Sequence, residues 1–495
     1  MAPVPYVSIN PSKKREVQVV YDKLENMINS SIKKQSLELS HVRFHLKMKY
    51  LSIRSIDVFK KKYSKSKNII ESSEAFILDS LLELFMRSRE GILLNYSDFE
   101  LNKIFNESIG VLYNSQNKVL KNGQLLDKFG ILFSLWQFEE QEDEFIKFYR
   151  YSYFFNFKNE RINMPTMFFK SFGTRYEDFV SLAVDIMLIT LAGDYENYYN
   201  YISQIANKYR VAFETLSITS DEYYQKSLIV SNDLDDIAFS VKVSQSFPFI
   251  KHNNAIYLPL PHACITACTK SLLYRLTYND DESRRKIGKE VMESYVYHIL
   301  STSESYDIVS KEVFFNHKKN ILSPDVLCFE NGCLFAFECK LLTPSSKTRI
   351  LDDDAVLRTK EILIDDICKL YKSLFVNYST KENGLPFIEK DNRFGAVVSL
   401  ERIDFDHKTI MEAVANKLKL EDEERKFLEE HIRFDALYAI ERLTFLRGNA
   451  IKEIKEMIRN EKIYDFDISH KTCNKNYSHK EFLSYKKKIL DIKDK

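Results

Sequence analysis

Residues 323 to 340 read SPDVLCFENGCLFAFECK, and the Asn331-Gly332 pair inside this stretch constrains the fold more than any other feature of the chain. It separates two short apolar runs, Val326 to Phe329 and Leu334 to Phe337, both rich in β-branched or aromatic residues. Asn and Gly tolerate positive φ, so the pair predicts a tight β-hairpin. Pairing across that turn brings Asp325, before the first strand, and Glu338, at the end of the second, to one end of the hairpin. Lys340 lies two residues after Glu338, and strand alternation sends both side chains to one face. Cys328 and Cys333 flank the turn and are expected to face each other as free thiols.

Two ionised carboxylates a few ångströms apart repel, and one takes up a proton unless a cation holds them together. Hard oxygen ligands suit Mg²⁺, which usually takes one or two protein carboxylates and keeps several waters. A lysine beside such an ion can orient or deprotonate an attacking water and offset charge developing on a phosphoryl oxygen. Residues of these types at this spacing suit hydrolysis of a phosphodiester.

Pro324-Asp325 followed by Glu338-Cys339-Lys340 resembles the signature of the PD-(D/E)XK, or restriction-endonuclease-like, nuclease superfamily. The resemblance implies Asp325 and Glu338 as metal ligands, Lys340 as the catalytic lysine, and Cys339 as a contributor to the metal shell through its backbone carbonyl. The superfamily places a helix with a further acid upstream, and RRKIGKEVMESYVYHIL over 284–300 has helical spacing through Ile287, Val291, Tyr295 and Ile299. The resemblance carries the accessory ligand role onto Glu293, with Glu290 one turn earlier as the reserve. YDIVSKEVFFNH then supplies a first strand. Downstream, Asp354 to Phe375 fits a helix with an apolar stripe through Ile362, Ile367 and Leu370, and FGAVVSLERI and FDALYAIERL read as buried strands. Many relatives carry a Gln in the post-motif helix; Lys369 stands there in this chain. Lys318, Lys319, Lys347 and Arg349 flank the motif and could meet phosphates.

The chain has 495 residues, 44% apolar and 29% charged, enough for two or three globular domains. Lys+Arg number 72 against 71 Asp+Glu, so any nucleic-acid surface must be a local patch. The most basic region is 450–495, with 12 Lys+Arg against 8 Asp+Glu. Seven scattered cysteines, an odd number, point to reduced thiols and a cytoplasmic setting. His262, Cys264 and Cys268 lie close in sequence without a fourth ligand at zinc-finger spacing. No apolar run reaches ~18 residues, so no membrane partner is expected. With 11 glycines and no Walker A or dinucleotide fingerprint, the chain is not expected to hydrolyse ATP itself.

Four domains are expected: a helical region over 1–235 for recognition, oligomerisation or partner sensing, a connecting segment over 236–280, a nuclease core over 281–446, and a helical, basic extension over 447–495. The connecting segment holds a hairpin around His252-Asn253-Asn254 and a helix over 262–277. The fold class is therefore an α/β restriction-endonuclease-like core, a mixed sheet flanked by helices, with a large mostly α-helical N-terminal region. The resemblance implies a Mg²⁺-dependent endonuclease, with Mn²⁺ as a substitute ion, acting on DNA in restriction or antiviral defence. A homodimer, or a partner ATPase on another chain, would complete it. The alternatives are a non-catalytic protein that uses the same fold to bind nucleic acid or a partner, and a nuclease acting on RNA or DNA ends.

Overall fold

The computed structural model describes residues 27, 29–63, 70–115, 131, 143–230, 237, 242–278, 280–303, 306–343, 345–349, 352–381, 383–403, 405–445 and 479–491. They fall into two compact units. The first draws on Met1–Phe129, Ile186–Gln204 and Leu216–Cys264, the second on Gly130–Asp185, Ile205–Thr215 and Ile265–Lys495.

In the first unit the helices Phe44–Tyr63, Ile70–Arg87 and Asp98–Ser115 bury one face each. Met48, Leu51, Leu81, Phe85 and Phe105 recur three or four residues apart on those faces and meet in one core. The expected hairpin forms here: β2 (Phe249–His252) and β3 (Ala255–Tyr257) are antiparallel, and β1 (Ser217–Thr219) adds to β2 in parallel. Asn253 and Asn254 hold φ of 47° and 63° in its turn, as a two-residue connection of this kind requires. The helix expected over 262–277 is broken into Pro261–Ala267, which holds the boundary between the units, and Lys270–Leu276, which belongs to the second unit.

The second unit is built on a five-stranded mixed sheet. Its strands are β4 (Ile308–Lys311), β7 (Val326–Glu330), β8 (Cys333–Lys340), β9 (Arg393–Ser399) and β10 (Ile432–Ala436), in the order β10-β9-β8-β7-β4. A separate ribbon, β5 (Phe314–Asn316) with β6 (Ile321–Leu322), lies between β4 and β7 in sequence. Asn331 and Gly332, at φ 50° and 72°, make the predicted tight turn, and β7 and β8 pair antiparallel across it. Both strands are buried along nearly their whole length, which accounts for their continuous apolar runs. β8, β9 and β10 run parallel.

The helices of this unit include α1 (Glu144–Asn156), α2 (Met164–Phe172), α3 (Asp281–Ile287), α4 (Glu293–Ser301), α5 (Asp353–Tyr371), α6 (His407–Leu418), α7 (Asp422–His431), α8 (Leu437–Leu443) and α9 (Lys480–Asp491). α4 packs against β4 and β7, and α5 against β9 and β10. Several start on side-chain caps: Asp143 accepts from Phe145 and Ile146 N–H, and Asp352 accepts from Ala355 N–H.

Four sequence expectations change. Cys328 and Cys333 do not face each other; the register sets Cys328 opposite Phe335 and Cys333 opposite Glu330. FDALYAIERL is a strand only to Ala436 and then turns into α8, on which Glu441 makes a buried ion pair with Arg150 of α1 at 2.6 Å. In α5 the buried stripe runs through Leu363, Asp366, Ile367 and Leu370, while Ile362 is exposed. The region expected as one N-terminal body over 1–235 is divided between the two units, and α1 and α2 belong with the sheet. Much of the basic stretch 450–495, with Cys473, lies outside the described residues; Lys486, Lys487 and Lys488 fall on α9.

Candidate metal centre

β7 and β8 pair from Glu330 opposite Cys333 to Val326 opposite Phe337; Asp325 precedes the first paired residue of β7 and Glu338 follows the last paired residue of β8. The Cys339 backbone N–H donates to Asp325 Oδ2 at 2.6 Å and fixes this carboxylate on the end of β8. Glu338 and Lys340 share an edge of β8, as alternation predicts, and the Lys340 ammonium donates to Glu338 Oε1 at 2.6 Å. Three of the residues singled out in sequence thus meet at one end of the hairpin.

Glu293 is carried by the helix that approaches that end. α3 does not run straight into α4; Gly288–Met292 form a π-turn, and the Glu293 N–H reaches back five residues to the Gly288 carbonyl. Gly288 stands where the helix meets the chain leaving β8: a Cβ there would lie 3.2 Å from Leu341 Cβ. Single π-turns inside α-helices recur at functional sites.

The electrostatics tie Glu293 to the hairpin carboxylates. Burial, then the charge on Asp325 and Glu312, push Glu293 up to about 9, with Lys289 opposing and Glu338 adding to the rise. Burial and Glu338 push Asp325 up to about 7, against the Cys339 N–H and the Lys340 charge. Burial works against the Lys340 charge, but Glu338, Asp325 and Asp366 outweigh it and hold the side chain firmly as an ammonium. Burial pushes the Cys339 thiol well up, so a thiolate is not available there; only its backbone faces this chemistry.

Sequence reasoning left Glu290 and Glu293 as alternatives, and the geometry separates them. Glu290 accepts from Asn159 Nδ2 at 2.8 Å and from Arg161 Nη1 at 3.0 Å. Burial would raise its pKa; these two donors outweigh burial and hold it below the usual carboxylate range. Two further acids escaped the sequence. Glu312, between β4 and β5, is raised by burial, is eased by Lys289 and Lys340, and feels Glu338. Asp366 of α5 is buried and supports the Lys340 charge, whereas Lys369 points outward, 69% exposed, and only ion-pairs with Asp366 at 3.3 Å. Lys318, Lys319 and Lys347 are exposed; the Arg349 side chain lies outside the described residues.

Among the described residues no three His, Cys, Asp or Glu side chains are grouped so as to enclose a metal ion. The donor set nevertheless fits Mg²⁺ held by one or two carboxylates: Asp325 and Glu338 offer hard oxygens, and burial with the nearby Glu338 charge raises Asp325, as close carboxylates do. It does not fit a closed three-carboxylate cage. In the first unit His262 is taken up by Ser55 Oγ at 2.9 Å and Asp79 Oδ1 at 3.2 Å, and Cys264 is a buried thiol; Cys268, a residue of the second unit, is a buried thiol too. Among the described residues no helix is long and apolar enough to cross a membrane.

No family model, curated protein or solved structure matches the chain.

Proposed function

We propose that the chain is a metal-dependent nuclease with a restriction-endonuclease-like core, cutting DNA internally in restriction or antiviral defence in the cytoplasm. One observation carries this reading: Asp325, Glu338 and Lys340, three residues of a phosphodiesterase signature, stand together at the end of β7 and β8, with Glu293 electrostatically coupled to them. The element order, helix α4, strand β4, the β7–β8 hairpin, helix α5, then β9 and β10, is the order the family resemblance implies and supports the same reading.

Asp325 and Glu338 would hold Mg²⁺ or Mn²⁺, with the Cys339 carbonyl beside them and Glu293 as an accessory acid outside that pair. The bound ion would offset charge on phosphoryl oxygens and lower the pKa of a bound water. The Cys339 N–H keeps Asp325 aimed from the strand end. Lys340, firmly protonated, is suited to donate to a phosphoryl oxygen or orient water and is not suited to take a proton from it. DNA is the proposed substrate, and a second copy of the chain or a separate ATPase is the proposed partner.

A second reading, a nuclease-like fold that binds nucleic acid without cutting it, is favoured by one contact: Lys340 already neutralises Glu338. Cleavage of supercoiled plasmid separates the two. The nuclease reading expects nicking or linearisation with Mg²⁺, none with EDTA, and loss of activity by about 10²-fold or more in Lys340→Ala. Wild type and variant equally inert on plasmid, linear DNA and RNA, yet retaining DNA in a mobility shift, would establish the binding role instead.

A further inference from the structure

The turn after α1 grips the helix that carries Glu293, and it does so through a carboxylate outside the proposed ligand set. Asn159 and Arg161 together take both oxygens of Glu290, at 2.8 and 3.0 Å. The turn is built to hold that posture. Asn159 Oδ1 accepts from the N–H groups of Arg161 and Ile162, both at 2.8 Å. The Asn159 N–H donates to the Ile162 carbonyl at 2.9 Å, and the Met164 N–H to the Phe157 carbonyl at 3.0 Å. A second contact comes from α1 itself: the Tyr153 hydroxyl donates to the Ser294 carbonyl at 3.3 Å, and its ring packs on Tyr295 and His298. The two contacts bracket Glu293 along the helix.

Bracketing matters because of the π-turn. In a regular α-helix Glu290 and Glu293, three residues apart, would be neighbours on one face. The wider i→i+5 turn rotates the chain less per residue and so swings Glu290 away from Glu293. α4 is anchored beyond it by buried Tyr295, Val296 and Ile299, and Gly288 is held close against Leu341. Glu290 is the side chain left free to choose, and the turn at 157–163 chooses for it.

We propose that Asn159, Arg161 and Glu290 are positioning residues for the metal centre: the clamp keeps the π-turn open, and so presents Glu293 alone to Asp325 and Glu338. The inference rests on the metal-centre reading above. Without the clamp the π-turn is free to close, Glu293 loses its fixed aim at Asp325 and Glu338, and the ion's hold weakens. Groups that orient ligands from outside the ligand set typically change metal affinity by about 10–100-fold.

The test is a Mn²⁺ titration of the full chain, followed by loss of the free-ion electron paramagnetic resonance signal and checked by Mg²⁺ competition. Wild type, Asp325→Asn, the double variant Asn159→Ala with Arg161→Ala, and Arg161→Lys are compared, each with a thermal melt in chelator. The clamp predicts that Asp325→Asn removes the site and that the double variant weakens it by about tenfold. Arg161→Lys, which can still donate to Glu290, should recover most of the affinity. The melts of wild type and Arg161→Lys should coincide; the double variant, which also removes the Asn159 acceptor of two turn N–H groups, is titrated well below its own midpoint. A double variant with wild-type affinity overturns the clamp alone. A wild-type chain with no Asp325-dependent Mn²⁺ site overturns the metal-centre reading and the clamp with it.

Discussion

Replacing Glu293 by Gln should make the metal-free protein more stable, and the gain should grow with pH. Glu293 ionises near 4.5 as a free side chain and is pushed up to about 9 in the folded chain. A raised carboxyl contributes stability that is fully present below the unfolded pKa and is lost as pH rises through the folded one, so its window here runs from about pH 4.5 to about pH 9. At pH 7 the folded chain keeps a proton that the unfolded chain has shed, a difference of about 2.5 pH units, or about 3 kcal/mol. Solvent screening at a group that is not wholly buried lowers the expected gain to about 2 kcal/mol at pH 7, against less than about 1 kcal/mol at pH 5. Gln keeps the shape and cannot ionise, so the gain belongs to the charge. Amide hydrogen exchange over residues 288–340, in chelator between pH 5 and pH 8, reads this locally and avoids treating two units as one transition. Saturating Mg²⁺ should erase the advantage by stabilising the wild type. If the wild type and Glu293→Gln show the same exchange free energies across that range, Glu293 does not share a buried field with Asp325 and Glu338, and its assignment to the site is wrong.

Two further perturbations test the framework that holds the site. Gly395→Ala in β9 would put a Cβ 2.6 Å from Leu374 Cδ1 and 3.1 Å from Leu370 Cδ2; denaturation should show a loss of about 1–3 kcal/mol, and an unchanged midpoint would mean that this sheet–helix contact is looser than described. Glu441→Leu strands Arg150, 3% exposed beside a partner 1% exposed, and should lose about 3–5 kcal/mol. Adding Arg150→Met should restore most of that, a recovery that denaturant titration of the single and double variants would reveal.

The hairpin was legible because its information is local: Asn331-Gly332 sets the turn, the turn sets the register, and the register brings Asp325 and Glu338 to one end of the hairpin. What the sequence hid is decided by distant partners or by rotation about a helix axis. α8 reads as strand, and nothing near it announces that Glu441 will meet Arg150, 291 residues away. On α5 the apolar stripe was placed through Ile362 when Leu363 carries it, a rotation of about 100°. Lys369, which stands where the resemblance expects a Gln, is exposed, and the buried side chain one turn away is Asp366. Glu312 gave no periodic signal at all, since it lies between β4 and β5 and owes its position to where the chain leaves the sheet. The division of the N-terminal region was hidden for the same reason as α8: helical spacing shows that α1 has an apolar face, not which core receives it.

The protonation pattern narrows the part Lys340 can play. A lysine serves as a general base only when burial or a neighbouring cation brings its pKa down towards the working pH. Here burial is overcome by Glu338, Asp325 and Asp366, three acids on three different elements, and the balance runs the other way. Neutralising Glu338 removes one of them, but Asp325 and Asp366 still favour the charged form. Asp366, reached from α5, adds to the larger effect of Asp325 in keeping Lys340 cationic. On the proposed nuclease reading, the proton acceptor for the attacking water would then be a group other than Lys340.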